Sequence, residues 1–316
     1  MADVQIIPTK RRIVALDWDG DDLVSGDYRW APDGTTNNPR PIRRHIPEPF
    51  DQTITFGAFR VVYVERGTKA LLYQGDDLIR ELNRSYYHAS DFDYPIALGA
   101  LPNGRNIVVH CPDQYNTLQI DDAATGERLT TGSRKPVDIF HSRLAISPDG
   151  RHLLSAGWYW QPEGVAEVFD LTAALESAEH LDGDGVTGLM SSVEDEVWSA
   201  CWLDADRLAV SSGEVEESGQ FGVWSLDADD WTFRSEVAFP IGILRPVGGK
   251  LLCLYGHPRL IDPDTGTVLL EWPEVDAGRR AGSYGVTHYP TPITAIHPDG
   301  DRVAIAQPDG IAVLHL

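Results

Sequence analysis

The 316-residue chain reads as an all-β protein made of repeats. Three observations carry that expectation. Four stretches, Leu98–Val109, Leu144–Ser155, Ala200–Val210 and Thr294–Ile305, fit one mould of apolar strand, Pro-Asp-Gly-type turn and second apolar strand. A second turn recurs as Asp121 to Glu127 and Asp262 to Thr267, with Gly126 and Gly266 free to take the positive φ it demands. The hairpins return every 40 to 56 residues or so, the spacing of repeats of four strands each.

Taken in order, the first strands start near Ile13, Ile54, Ile96, Leu144, Ala200, Ile243 and Ile293. Units one and two pair strands around short turns, at Ile13–Val24 and Phe59–Val64. The fourth unit is expected to run Leu144 to Ser147, Leu153 to Gly157, Ala166 to Asp170, and then a fourth strand after Thr172. The seventh supplies only three strands, Thr294 to Ile296, Val303 to Ala306 and Ile311 to Leu316, while Val4 to Ile7 is a spare strand at the start. Pairing that strand with the last three removes an exposed edge. The expected architecture is a seven-bladed β-propeller of four-stranded antiparallel blades, one domain over residues 1–316, closed by the N-terminal strand.

Hydrophobic residues at 42% and charged residues at 23% suit a globular core. A net charge of −22 argues against nucleic acid and anionic lipid as partners, because both require clustered Lys and Arg. No apolar run is long enough for a membrane span, and the start lacks a secretion signal, so a cytoplasmic location is expected. Cys111, Cys201 and Cys253 sit in apolar strands without a Cys-x-x-Cys pair and read as buried thiols. The segment Ser177–Val193, rich in Gly and Asp, reads as a mobile insertion without helical periodicity, and residues 35–41 as a second long loop.

Ser147-Pro148-Asp149-Gly150-Arg151 followed by Val168-Phe169-Asp170, and Val223-Trp224-Ser225 in the next unit, resemble WD-repeat propellers. The Asp-x-x-Thr-Gly turns are similar to those of YVTN-type propellers. The chain departs from regular WD repeats in lacking their Gly-His dipeptide and Trp-Asp ending, so the family's His–Asp network is not carried over. The resemblance implies that first strands line a central channel, and that the loops entering them share one face with the loops between strands two and three.

That face would gather acids and aromatics: Asp51, Asp93, Asp138 with His141, and Asp195 with Trp198 ahead of first strands, and Tyr28, Trp30, Trp158 and Trp160 between strands two and three. Carboxylates beside exposed rings suit a basic protein or peptide, by charge and by the ring quadrupole. The expected function is a non-catalytic interaction scaffold without a cofactor. Solvated loop acids and blade-end tryptophans are the structural alternative.

No Gly-x-Ser-x-Gly, Walker, dinucleotide or His-Glu-x-x-His motif occurs. The competing expectation is a small-molecule enzyme at the channel mouth using His141, His288, Asp138 and Asp195. One divalent metal on His88, His141 or His288 would serve it. Asp17, Asp19 and Asp21 alternate like a calcium loop but lack a carboxylate at position twelve, where Tyr28 stands.

Overall fold

A computed structural model describes residues 3–10, 13, 15–26, 28–37, 50–159, 163–193, 195–213, 219–279 and 293–316. The described residues form eight antiparallel sheets of three or four strands, laid down by seven successive stretches of chain. Each sheet runs in chain order from first strand to last. The exception is the closing sheet, in which Val4–Pro8 lies outside Gly310–His315, Arg302–Gln307 and Thr294–Ile296. Val4 pairs with Leu314 and Ile7 with Ile311, the closure expected from the sequence.

The middle strands are continuous apolar runs because both faces of each sheet are covered by neighbours. In Lys250–Tyr255, Leu252 and Leu254 pack towards the seventh unit while Leu251 and Cys253 pack towards the fifth. Val108 faces the second unit, whereas Ile107 and Val109 face the fourth. Six core clusters thus join units two to three, three to four, four to five, five to six, six to seven, and seven to one. Each fully buried Val, Leu or Ile in them contributes about 1.5–3 kcal/mol. Between units one and two, Thr55 Oγ1 donates to Asp17 Oδ2 at 3.4 Å. First strands of neighbouring sheets touch, as Val197–Trp202 does Ile243–Val247 and Asp17–Asp19 does Thr294–Ile296, so they form the inside of the ring.

The repeated turns are built as their residues suggest. Gly150 N donates to Ser147 O at 2.9 Å and Gly300 N to His297 O at 2.8 Å, both glycines at positive φ. In the second turn type, Asp122 Oδ1 accepts from Thr125 N at 2.7 Å and Thr125 Oγ1 at 2.9 Å. Asp262 repeats this with Asp264 N and Thr265 Oγ1, both at 3.0 Å.

Three expectations need correction. The first strand of unit one is Asp17–Asp19 rather than a strand from Ile13, whose side chain packs against the adjoining core. The fourth unit has no fourth strand after Thr172. Asp170 instead caps a helix, Leu171–Glu176, accepting from Thr172 N and Ala173 N. The segment 177–193 contains a 3-10 turn, Ala178–Leu181, and a short helix, Leu189–Ser192, held by buried Leu181 and Leu189. Asp182 anchors it through Arg134 Nε at 2.7 Å and Lys135 N at 2.6 Å. Residues 38–41 of the other long loop lie outside the described residues.

The fourth unit is also divided. Ile139–Phe140, Trp158–Tyr159 and Glu163–Gly164 form one small sheet, and Leu144–Ile146, His152–Ser155 and Glu167–Asp170 another. All three strands break at one level, where Arg143 takes φ 44°. The outer strands of units two, five and six share a bulge: Ile79, Thr232 and Leu269 are each left without an opposite residue.

Candidate interaction rim

The loop from Asn83 to Ile96 is held by one arginine. Arg84 is 4% exposed, and its guanidinium donates to the carbonyls of Gly67 (2.6 Å), Ala89 (2.6 Å), Phe92 (3.0 Å), Asp93 (3.1 Å) and Glu65 (3.4 Å). The rings of Phe92 and Tyr94 lie under it at 4.5 and 4.9 Å. Five carbonyl dipoles replace the carboxylate a buried cation would otherwise require. Burial draws its pKa down to about 10. Arg66 adds a bond to Ser90 O at 3.0 Å and an ion pair to Asp93 at 3.3 Å.

This fixed loop presents Tyr86, 85% exposed, and Tyr87, 49% exposed. Tyr87 joins an aromatic group centred on the fully buried Phe140. Phe140 stacks on Trp158 (4.0 Å) and Tyr115 (4.5 Å), with Phe92 (5.1 Å), His88 (5.9 Å) and Tyr87 (6.1 Å) around it. Two carboxylates border the rings. Tyr115 donates its hydroxyl to Asp138, and burial together with that acceptor pushes its pKa up to about 12. His88 Nδ1 lies 2.6 Å from Asp91 Oδ2, and this contact lowers the Asp91 pKa. Three loops of distant sequence thus meet in one aromatic group.

Beside it, Asp51 Oδ1 accepts from Glu65 N at 2.8 Å. Burial first, then the charges of Asp93 and Asp51, raise the Glu65 carboxyl to about 7, against Arg245 and Arg66. Arg143 reaches Asp93 at 4.0 Å. The structure therefore brings Asp51 and Asp93 together around a carboxylate, Glu65, that the sequence reading passed over.

Among the described residues, the other expected rim residues do not appear in this aromatic group, and two of them are buried. Trp30 is 1% exposed, in the core between units seven and one, so it offers no surface to a partner. His141 is equally buried, its Nδ1 3.0 Å from Ser155 Oγ, and burial lowers its pKa to about 3. Burial holds it neutral, and it lies in the core instead of on the rim. Tyr28 is half-buried against the Trp30 cluster, and Trp198 bonds through Nε1 to Gly213 O. Asp195 is exposed, with no ion pair among the described residues. Trp160 and His288 lie outside the described residues. Among the described residues no grouping of three or more His, Cys, Asp or Glu could hold a metal. The Asp17–Asp22 acids pair with arginines, Asp22 with Arg29 at 2.7 Å and Asp21 with Arg302 at 2.6 Å. Tyr86 and Tyr87 were legible as adjacent aromatics in a polar loop. Arg84 had no sequence signal, since its partners are backbone carbonyls.

No protein-family model matches the sequence, and no curated protein matches it. Solved structures do. A chain of the mitotic checkpoint complex is similar over 99% of this chain and 93% of its own, with 14% identity and a TM-score of 0.60. Streptogramin B lyase is similar over 99% and 97%, with 10% identity and a TM-score of 0.56. At such identities the likeness speaks for the fold alone, and it agrees with the repeated hairpins, the sheet order and the N-terminal closure: the chain folds as a β-propeller.

Proposed function

We propose that the protein is a non-catalytic, cytoplasmic scaffold, a single seven-bladed domain over residues 1–316 with the divided fourth unit counted as one blade. It binds a basic protein or peptide on the rim formed by Tyr86, Tyr87, Tyr115, Trp158, Asp91 and Asp138. The observation that carries the reading is the convergence of the Asn83–Ile96, Cys111–Leu118 and Asp138–Phe140 segments on one aromatic group edged by carboxylates. Rings already packed on one another lose little entropy on binding, and their exposed faces with adjacent carboxylates attract Lys and Arg. The net charge of −22 favours encounter with a cationic partner. Since one structural neighbour sits in a complex and the other is a lyase, the fold does not choose between binding and catalysis.

The test is titration of a fluorescent arginine-rich hexapeptide against wild type, Tyr87→Ala, and Asp138→Asn combined with Asp91→Asn. The double variant should bind more weakly and with a shallower salt dependence at an unchanged Tm, and Tyr87→Ala should lose about fivefold or more. Equal affinity in all three proteins at low and high salt would rule the rim out. A second reading, a small-molecule enzyme, is favoured by Glu65, a carboxylate near neutrality suited to acid–base chemistry. It predicts that Glu65→Gln abolishes turnover of a substrate found by screening while peptide binding persists.

A further inference from the structure

We propose that the groove on the outer surface between the sixth and seventh units docks a short segment of another polypeptide carrying apolar and basic side chains. The groove lies between the outer strand Val268–Glu271 and the N-terminal strand Val4–Pro8, and its volume is about 680 Å³. Its lining combines the carboxylates of Asp3, Glu271 and Glu274 with apolar Val4, Leu269 and Pro273, with no Lys or Arg among the described residues that line it. Glu271 is engaged by His257 at 3.3 Å and Arg259 at 3.7 Å. Asp3 and Glu274 have no ion pair among the described residues, and their carboxylates flank an apolar floor.

The strand itself is unusual for an edge. Outer strands in the second and fifth units carry charges along their length, Asp77, Arg80 and Glu81 in one and Asp230, Arg234 and Glu236 in the other. Such charges keep an edge from recruiting other chains. Val268-Leu269-Leu270 has none before Glu271, and Val268 and Leu269 are 37% and 43% exposed. The bulge at Leu269 interrupts the ladder, so a partner cannot add a regular strand there. It is held by side chains instead, an apolar residue against Leu269 and Pro273 and cationic residues against Asp3 and Glu274. Charge complementarity selects this occupant over a second copy of a chain that is itself strongly acidic.

The inference does not depend on the rim, and one experiment separates them. A fluorescent Lys-Leu-Lys-Leu-Lys peptide is titrated against the full chain, Leu269→Asp, Glu274→Lys and Tyr87→Ala. Binding to wild type should fall about tenfold in Leu269→Asp and in Glu274→Lys, and by less in Tyr87→Ala, which removes only a rim contribution. Both groove positions lie at the surface, so an unchanged Tm is expected and is measured alongside. Absence of binding, equal binding by the groove variants, or loss only in Tyr87→Ala would overturn the proposal. So would sedimentation showing a dimer that Leu269→Asp dissociates, since a second copy would then be the occupant.

Discussion

Glu65 sits where three carboxylates share one small region, and its backbone is tied to one of them, Asp51. Burial and like charge favour the protonated form, which places its pKa near 7 instead of the ordinary 4.5. For an acid whose folded pKa is raised, the associated stability is complete below the unfolded pKa and disappears as pH rises through the folded one. Between pH 4.5 and 7, then, this group destabilises the fold progressively. Its partial exposure limits the effect to on the order of 1–3 kcal/mol. Glu65→Gln should match wild type at pH 4 and exceed its Tm by several degrees at pH 8. Parallel Tm curves for the two proteins from pH 4 to 8 would show that Glu65 titrates normally. Arg84 works in the opposite sense, a buried cation whose five carbonyl partners tie the Asn83–Ile96 loop to the strands beside it.

At the scale of elements, the repeated hairpin turns look equivalent in sequence but differ in what surrounds them. Gly104 and Gly150 both take positive φ, 83° and 74°. A Cβ on Gly104 would meet nothing within 4 Å, whereas one on Gly150 would lie 2.0 Å from Ala100 O in the neighbouring unit. Gly104→Ala therefore bears only the left-handed backbone penalty, about 1 kcal/mol. Gly150→Ala must also push two units apart and should cost about 3 kcal/mol or more. Urea unfolding of the two variants measures the difference. If they are equally destabilised, the close packing of adjacent turns is not as described. Bulges act at this scale as well, since three outer strands break their ladders at the same place and so resist edge-to-edge association.

For the whole molecule, six of the junctions between units are made by core clusters, and one of them depends on residues from both ends of the chain. Ile7, 2% exposed, packs in it with Ile311 and Val313 from the C-terminal strand and with Leu23 and Trp30 from the first unit. Removing residues 1–8 would uncover the edge of Gly310–His315 and the Trp30 cluster together. The truncated protein should lose at least about 3 kcal/mol and gain a tendency to aggregate. Thermal unfolding with light scattering reads both. Wild-type stability in the truncation would mean that the ring does not rely on this closure.

Strand order, turn chemistry and closure were legible in the chain because they are local or periodic. Pro-Asp-Gly and Asp-x-x-Thr-Gly specify their own backbone angles, and runs such as Leu251-Leu252-Cys253-Leu254 require cover on both faces. The helix after Asp170 escaped notice because a capping Asp and a turn Asp look alike over a few residues. Placement of site residues was not legible. Trp30 and Trp158 both stand between a second and a third strand in sequence. Only the packing of neighbouring units buries one among Leu23, Ile7 and Ile311 and stacks the other on Phe140 at the rim. His141 likewise becomes a core residue through Ser155, fourteen residues away. The repeat chemistry of the sequence determined the propeller. The tertiary structure decided which aromatics and acids meet, because that depends on contacts between units for which the repeat pattern carries no information.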